Sequence, residues 1–359
     1  MRRLLALLRP RTGARGQAIA IMAVSLSGIV LVVGLAVDGG YSLVQRRSAQ
    51  NAADFGAMAG ARIVAIWMAD NDADGTDNNV KAAITAAISV NGGSAITYNT
   101  TGGPVYVSTD GSVLGYVGGG SIPSATAGVR ITASKTWAPY FLRLMGVGNW
   151  TASASATARG GFYAGAPPGG MMPVGIAEAF FNNRQPCSAV VSSDPSSACY
   201  PQQLTPGTLN VPGGFGWLKY GCDGYGLGQV APANAGGCDN SKPFLQEQIG
   251  PPGNSFGCCT QVGQPGSLDR IGSLPGNKAS ADCSYIISQG GTMPVAVWDY
   301  AGGSGSNAWY HIVGFTGFQV TDCNGGKDIK GVWRQPFYVG PTTTVPGFAG
   351  AALAVQLIQ

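Results

Sequence analysis

Charge is the scarcest ingredient of this 359-residue chain: only 11% of it is Asp, Glu, Lys or Arg, against about 25% in an ordinary soluble protein. Glutamate occurs twice, as Glu178 and Glu247, and histidine once, as His311. So few acids and bases leave little for hydrolytic chemistry. A glycosidase would have to draw on scattered aspartates that form no recognisable pair, and a single imidazole serves the whole chain. The G-x-S-x-G elbow, the phosphate-binding glycine loop ending in Lys-Ser/Thr and the H-E-x-x-H helix are all missing. No cysteine precedes Cys187 and no C-x-x-C pair occurs, which removes the usual zinc spacing. Setting aside the five arginines before residue 16 turns the formal charge of +4 into −1, so no basic surface remains to hold nucleic acid.

What the chain does have is one long apolar run, Gly16 to Val37, with Arg15 before it and Asp38 after. Its 22 residues fit a bilayer core of about 30 Å, which needs roughly 20 helical residues; a secretory signal's apolar region is about 7–15. Arg2, Arg3, Arg9, Arg11 and Arg15 precede it with no acidic residue among them, and the positive-inside rule keeps that end in the cytoplasm. The remainder is then periplasmic or extracellular. A cleaved signal peptide is the competing reading, because small residues near the end of the run imitate a peptidase site.

Beyond the run, Tyr41 to Ala69 is alanine-rich and free of proline, and Ala49, Ala52, Ala53, Gly56, Gly60, Ile63, Val64 and Trp67 recur at helical steps. A face of small residues admits a second helix closely, either from a partner chain through Gly56-x-x-x-Gly60 or from the chain's own domain. Arg47, Gln50, Asn51 and Asp54 form a polar stripe on the other side.

The segment GLAVDGGYSLVQRRSAQNAADFGAMAGAR follows an apolar helix that opens Arg15-Gly16-Gln17. It resembles the N-terminal module of the TadE/TadG-like proteins of the bacterial Flp (tight adherence) pilus-assembly system. Asp38, the pair Arg46 and Arg47, Gln50-Asn51-Ala52-Ala53-Asp54 and the stretch Ala57 to Ala61 carry that resemblance. It implies a membrane-anchored, pilin-like protein serving pilus biogenesis or adhesion, with Gly16, Asp38, Arg47, Gln50, Asn51, Asp54, Gly56 and Gly60 forming its anchor and assembly face. VRITASKTWAPYFLRLMGVGNWTASASATA also resembles the segment that follows the anchor in TadG-like proteins. Two features of the family are missing. Ile21 stands where its processed pilins carry glutamate, so no prepilin-peptidase cleavage is expected. Asp194-Pro195-Ser196-Ser197-Ala198 lacks the D-x-S-x-S spacing of the von Willebrand A-type domain found in longer relatives.

Asp70, Asp72, Asp74 and Thr76 open like a calcium loop, D-x-D-x-D-G, but Lys81 occupies the twelfth position, where such loops place a bidentate glutamate. An ordinary Asp/Asn/Gly turn competes with a calcium site there, and no other cofactor is expected. A short helix through Val80, Ala83, Ile84, Ala87 and Ile88 stops at Asn91-Gly92-Gly93. Strands are expected at Val105–Ser108, Val113–Val117, Val129–Trp137 and Trp150–Ala158, with a short helix over Ala138–Met145. Gly160–Pro168 reads as a linker. After it, Met172-Pro173-Val174-Gly175-Ile176 and Met293-Pro294-Val295-Ala296-Val297 are alike, and Trp309–Val320 and Ile329–Val339 read as strands. Between the two alike segments lie Cys187, Cys199, Cys222, Cys238, Cys258, Cys259 and Cys283, with Cys323 further on. An even count confined to the exported part points to disulfides.

The expected architecture is α+β. A basic tail (1–15) leads into a transmembrane helix (16–37) that extends into a pilin-like helix with a small sheet (38–160), followed by a β-rich, disulfide-bonded domain (161–359). The expected role is structural rather than enzymatic. Its partners would be the membrane, other pilus-assembly proteins through helix packing, and wall or surface glycans. A membrane-tethered exported hydrolase or glycan-binding protein using the same anchor is the alternative.

Overall fold

The computed structural model of the chain describes residues 14–70, 74–165, 172, 174–178, 202–204, 218–219, 270–273, 285, 287–288, 291–303, 309–324, 328–344 and 351–358. The first element, α1 (Ala14–Asp70), is a single unbroken helix of 57 residues that carries the apolar run straight into the domain. No proline interrupts it, and alanine, the best helix former, fills its second half. A second helix, α2 (Asp77–Val90), starts at Thr76, whose side chain accepts the Asn79 N–H at 3.2 Å, and ends at Asn91 before Gly92 turns the chain at φ +71°.

Four strands follow: β1 (Val105–Val107), β2 (Val113–Tyr116), β3 (Gly128–Trp137) and β4 (Trp150–Tyr163). Val129, Ile131 and Ala133 of β3 alternate inward, as the pattern predicts, and meet Ala52, Ala57 and Ala61 of α1 and Val80, Ile84 and Ile88 of α2. On the outer face Thr132 pairs with Ser155 and Thr136 with Thr151, both at 2.9 Å. A single 3-10 turn, Leu142–Met145, stands at the β3–β4 tip where a longer helix was expected.

The chain continues through β5 (Gly175–Ala177), β6 (Gln202–Leu204), β7 (Leu218–Lys219), β8 (Arg270–Ser273), β9 (Thr292–Gly302), β10 (Trp309–Asn324) and β11 (Asp328–Arg334). It closes with β12 (Phe337–Val339), β13 (Thr342–Thr343) and β14 (Leu353–Ile358). Two sheets result. One runs β12-β14-β4-β3-β1-β2 with β13 also on β4; the other runs β5-β9-β10-β11-β6 with β8 on β10 and β7 on β8. The first sheet therefore takes its last strands from the C-terminal end of the chain, and the expected boundary at 160/161 runs through it. β14 pairs antiparallel with β4 from Leu353↔Phe162 to Ile358↔Thr157.

The glycines read as a linker have a packing reason instead. A Cβ on Gly160 would lie 1.9 Å from the Ala61 carbonyl oxygen, so glycine there is what lets α1 rest directly on β4. The strand expected over Ile329–Val339 is two strands in different sheets. Pro336, which has no N–H to give a ladder, lies between them. The two alike segments become neighbours: β5 pairs parallel with β9 through Gly175↔Ala296 and Ile176↔Val297. Ala65 of α1, Phe162, Val295, Phe318 and Leu353 share one core, which joins both sheets to the far end of α1.

Cys187, Cys199, Cys222, Cys238, Cys258, Cys259 and Cys283 lie outside the described residues, and for Cys323 only the backbone, in β10, is described.

Candidate membrane-interface site

Along α1 every residue from Ala18 to Val33 is exposed. It is the one helix among the described residues long and apolar enough to cross a membrane. Its first buried position is Gly34, and from there buried residues recur at Asp38, Gln45, Ala49, Ala52 and Ala53. The packed face of the helix thus begins inside the apolar run, one turn or about 6 Å short of Asp38.

What packs there is the β3–β4 tip. A Cβ on Gly34 would fall 2.8 Å from Phe141 Cβ and 2.9 Å from its Cγ, so the Phe141 ring rests on bare helix backbone. One turn on, the Asp38 carboxylate is buried and accepts three backbone hydrogen bonds. Tyr140 N–H donates to Oδ1 at 2.7 Å, and the N–H groups of Phe141 and Leu142 donate to Oδ2 at 3.0 and 2.8 Å. A buried carboxylate is tolerable only when satisfied in this way, and three donors from one tight turn fix the tip to the helix. Above Asp38, the Tyr41 ring meets Trp137 edge-on at 6.4 Å and Tyr140 at 5.1 Å, and Trp137 meets Trp150 at 6.3 Å. Amphipathic aromatics gathered at the end of an apolar helix are the usual marker of a membrane–water interface.

The other expected site residues are distributed differently. Gly56 faces Ile88 and Ile131 and Gly60 faces Ile84 and Val129, so the small-residue face is filled from within the chain, the intramolecular of its two readings. Arg47 and Asn51 are exposed on the opposite side, in line with the exposed Val44 and Phe55. Asp54 accepts the Gln50 side-chain N–H at 2.7 Å, one turn away on the same helix. Gly16 lies in the first turn of α1.

Of the expected calcium loop, Asp72 lies outside the described residues, Asp70 ends α1 and Asp74 is exposed. Thr76 uses its hydroxyl oxygen to cap α2. No three metal-ligating side chains converge among the described residues. Asp77, which the sequence pattern did not single out, turns inward. It accepts the Tyr106 hydroxyl at 2.6 Å and the N–H groups of Gly118 and Gly120 at 2.9 and 2.8 Å. Burial, and then the Asp77 carboxylate, push the Tyr106 phenol far above its ordinary value, so it stays a donor.

His311 is half-buried on β10. Its ring stacks on Tyr300 at 4.6 Å and its Nδ1 lies 2.6 Å from Asp299 Oδ1.

These features define a class: an α+β protein in which an N-terminal apolar run long enough to span a bilayer and the folded domain share one helix, with the domain's own hairpin clamped to that run. Residues 16–62 match the family model described as “Putative Flp pilus-assembly TadE/G-like”, so over this stretch the N-terminal module is similar to that pilus-assembly family. The match runs from the first turn of α1, through the Gly34–Asp38 clamp, to the point where α1 crosses β4. No curated protein and no solved structure matches the chain.

Proposed function

We propose that the protein is a membrane-anchored, pseudopilin-like component of the Flp/Tad pilus system. Its N-terminus would be cytoplasmic and its two-sheet domain exported, acting in pilus biogenesis or surface adhesion by assembly rather than catalysis. The observation that carries this reading is the family match over residues 16–62, the stretch in which one helix passes from exposed apolar run to packed domain. Five arginines before the run support the orientation. The cysteines then meet an oxidising compartment and pair.

Since Gly56 and Gly60 are covered by the domain, lateral contact with other pilus proteins falls to the outward stripe of α1. Val44, Arg47, Asn51 and Phe55 lie there at three- and four-residue steps and continue the exposed side of the run. The test is complementation of a deletion strain that otherwise makes Flp pili. Wild type should restore surface pili, and Phe55→Asp should restore the folded protein in the membrane but far fewer pili. Full piliation in the uncomplemented deletion strain would reject the role.

The alternative, an exported enzyme on the same anchor, has one observation in its favour: a carboxylate against a histidine is how a general base is oriented. His311→Ala would abolish activity on wall or surface glycans under that reading, and leave pilus assembly intact under either.

A further inference from the structure

We propose that the β3–β4 tip, Tyr140–Met145, is a lipid-inserting wedge that sits in the outer leaflet beside the anchor. This rests on the reading that Gly16–Val37 crosses the bilayer. The tip projects its apolar side chains away from the fold: Leu144 is 85% exposed, Met145 64% and Tyr140 60%. None of these side chains belongs to a buried core of the domain, and a contiguous exposed apolar cluster marks a contact surface. Its position accounts for it. Phe141 packs on Gly34, inside the apolar run, so the tip lies below the level of Asp38, at a depth where the anchor itself is surrounded by acyl chains.

Between the two lies a cleft of about 420 Å³, walled by Leu26, Val30, Leu31 and Leu35 of the anchor and by Leu144 and Met145 of the tip. The one polar side chain lining it, Ser27, already donates its hydroxyl to the Ala23 carbonyl at 2.8 Å. A wall made half of membrane-spanning helix and half of unpaired apolar side chains fits acyl chain.

Polarity then rises with height as it does across a leaflet. The Asp38 clamp and the tyrosine–tryptophan cluster come next. Higher still, Ser42, Arg46, Asn149 and Trp150 border a cleft of about 660 Å³ with a mixed polar and apolar lining, at headgroup level. Charge agrees with depth: Arg143 is the one charged residue from Ala138 to Asn149, and its long side chain can reach upward to lipid phosphate. Clamping by Asp38 gives the wedge a function, because a helix held to its domain at one more point below the interface cannot tilt freely.

The experiment places p-benzoylphenylalanine singly at Leu144, Val30 or Val339 in the full chain, irradiates native membranes, and identifies adducts by mass spectrometry. Val339 is 81% exposed on β12, which joins the first sheet beside Gly160, where β4 meets Ala61 far up α1 from the anchor, and serves as the aqueous control. The expected result is phospholipid adducts at Leu144 in yield comparable with Val30, and none at Val339. Lipid adducts at Val30 with none at Leu144 would overturn the wedge while leaving the anchor intact. So would adducts at Leu144 to a second copy of the chain or to another protein. Absence of lipid adducts at both Val30 and Leu144 would overturn the anchor, and the wedge with it.

Discussion

The two halves of α1 make an instructive pair. From Ala18 to Val33 the helix carries no charge and every residue is exposed, whereas from Ala49 to Ala65 one face of small residues, Ala49, Ala52, Ala53, Ala57 and Ala61, is fully buried by the domain. One continuous backbone serves two solvents, and residue size follows the solvent. Large branched side chains cover the half that meets lipid; alanine and glycine line the half that must let a sheet approach. Small-xxx-small spacing in a helix that leaves a membrane therefore reports close packing, not which molecule supplies the partner. Here Ile84, Ile88 and Ile131 of the same chain supply it.

The strongest way to break the upper half is at its closest contact. Gly160→Ala places a Cβ 1.9 Å from the Ala61 carbonyl, backbone against backbone with no side chain free to move aside. A loss on the order of 4 kcal/mol, or failure to fold, is expected in thermal unfolding of the solubilised chain. Next comes the junction of the halves. Asp38→Ala strands three part-buried N–H groups, each costing about 1–3 kcal/mol when fully unmet, and part of that is recovered as the tip loosens toward solvent. A net loss of about 3 kcal/mol, confined to the tip, should appear as faster amide exchange at residues 140–142.

Gly34→Val keeps the run apolar but pushes Phe141 off the helix, which should cost about 1–2 kcal/mol and loosen the same amides without affecting membrane insertion. Gly28→Val is the matched control. Nothing lies within 4 Å of a Cβ there, so its effect should stay within about 0.5 kcal/mol in the same assay. If Gly28→Val proved as costly as Gly34→Val, the contrast between packed and lipid-facing helix would be lost.

Much of the N-terminal unit was legible because its signals are local. The span, α2 with its stop at Asn91-Gly92-Gly93, and the inward alternation of Val129, Ile131 and Ala133 follow from local signals that need no knowledge of distant sequence. What was not legible depends on pairing across long separations. Nothing in Leu353–Ile358 says that it completes a sheet begun before residue 163, and a glycine pair at Gly160-Gly161 looks the same in a linker as under a crossing helix. The role of Asp38 was half visible. A carboxylate at the end of an apolar run asks for donors, and Trp137-Ala-Pro-Tyr-Phe-Leu-Arg-Leu-Met, bracketed by tryptophans and nearly free of charge, was a signal that could have pointed to them. Asp77 gave no such hint, because within an Asp/Asn-rich turn it looks like its solvated neighbours.

The central claim is that the domain's hairpin is locked to the anchor through Asp38. Hydrogen exchange of the Tyr140, Phe141 and Leu142 amides, in the full chain in bilayer nanodiscs, tests it most directly. Slow exchange in wild type, released by Asp38→Ala while the amides of residues 52–64 stay protected, is the result expected. Fast exchange at all three amides in wild type, or protection unchanged by Asp38→Ala, would contradict it.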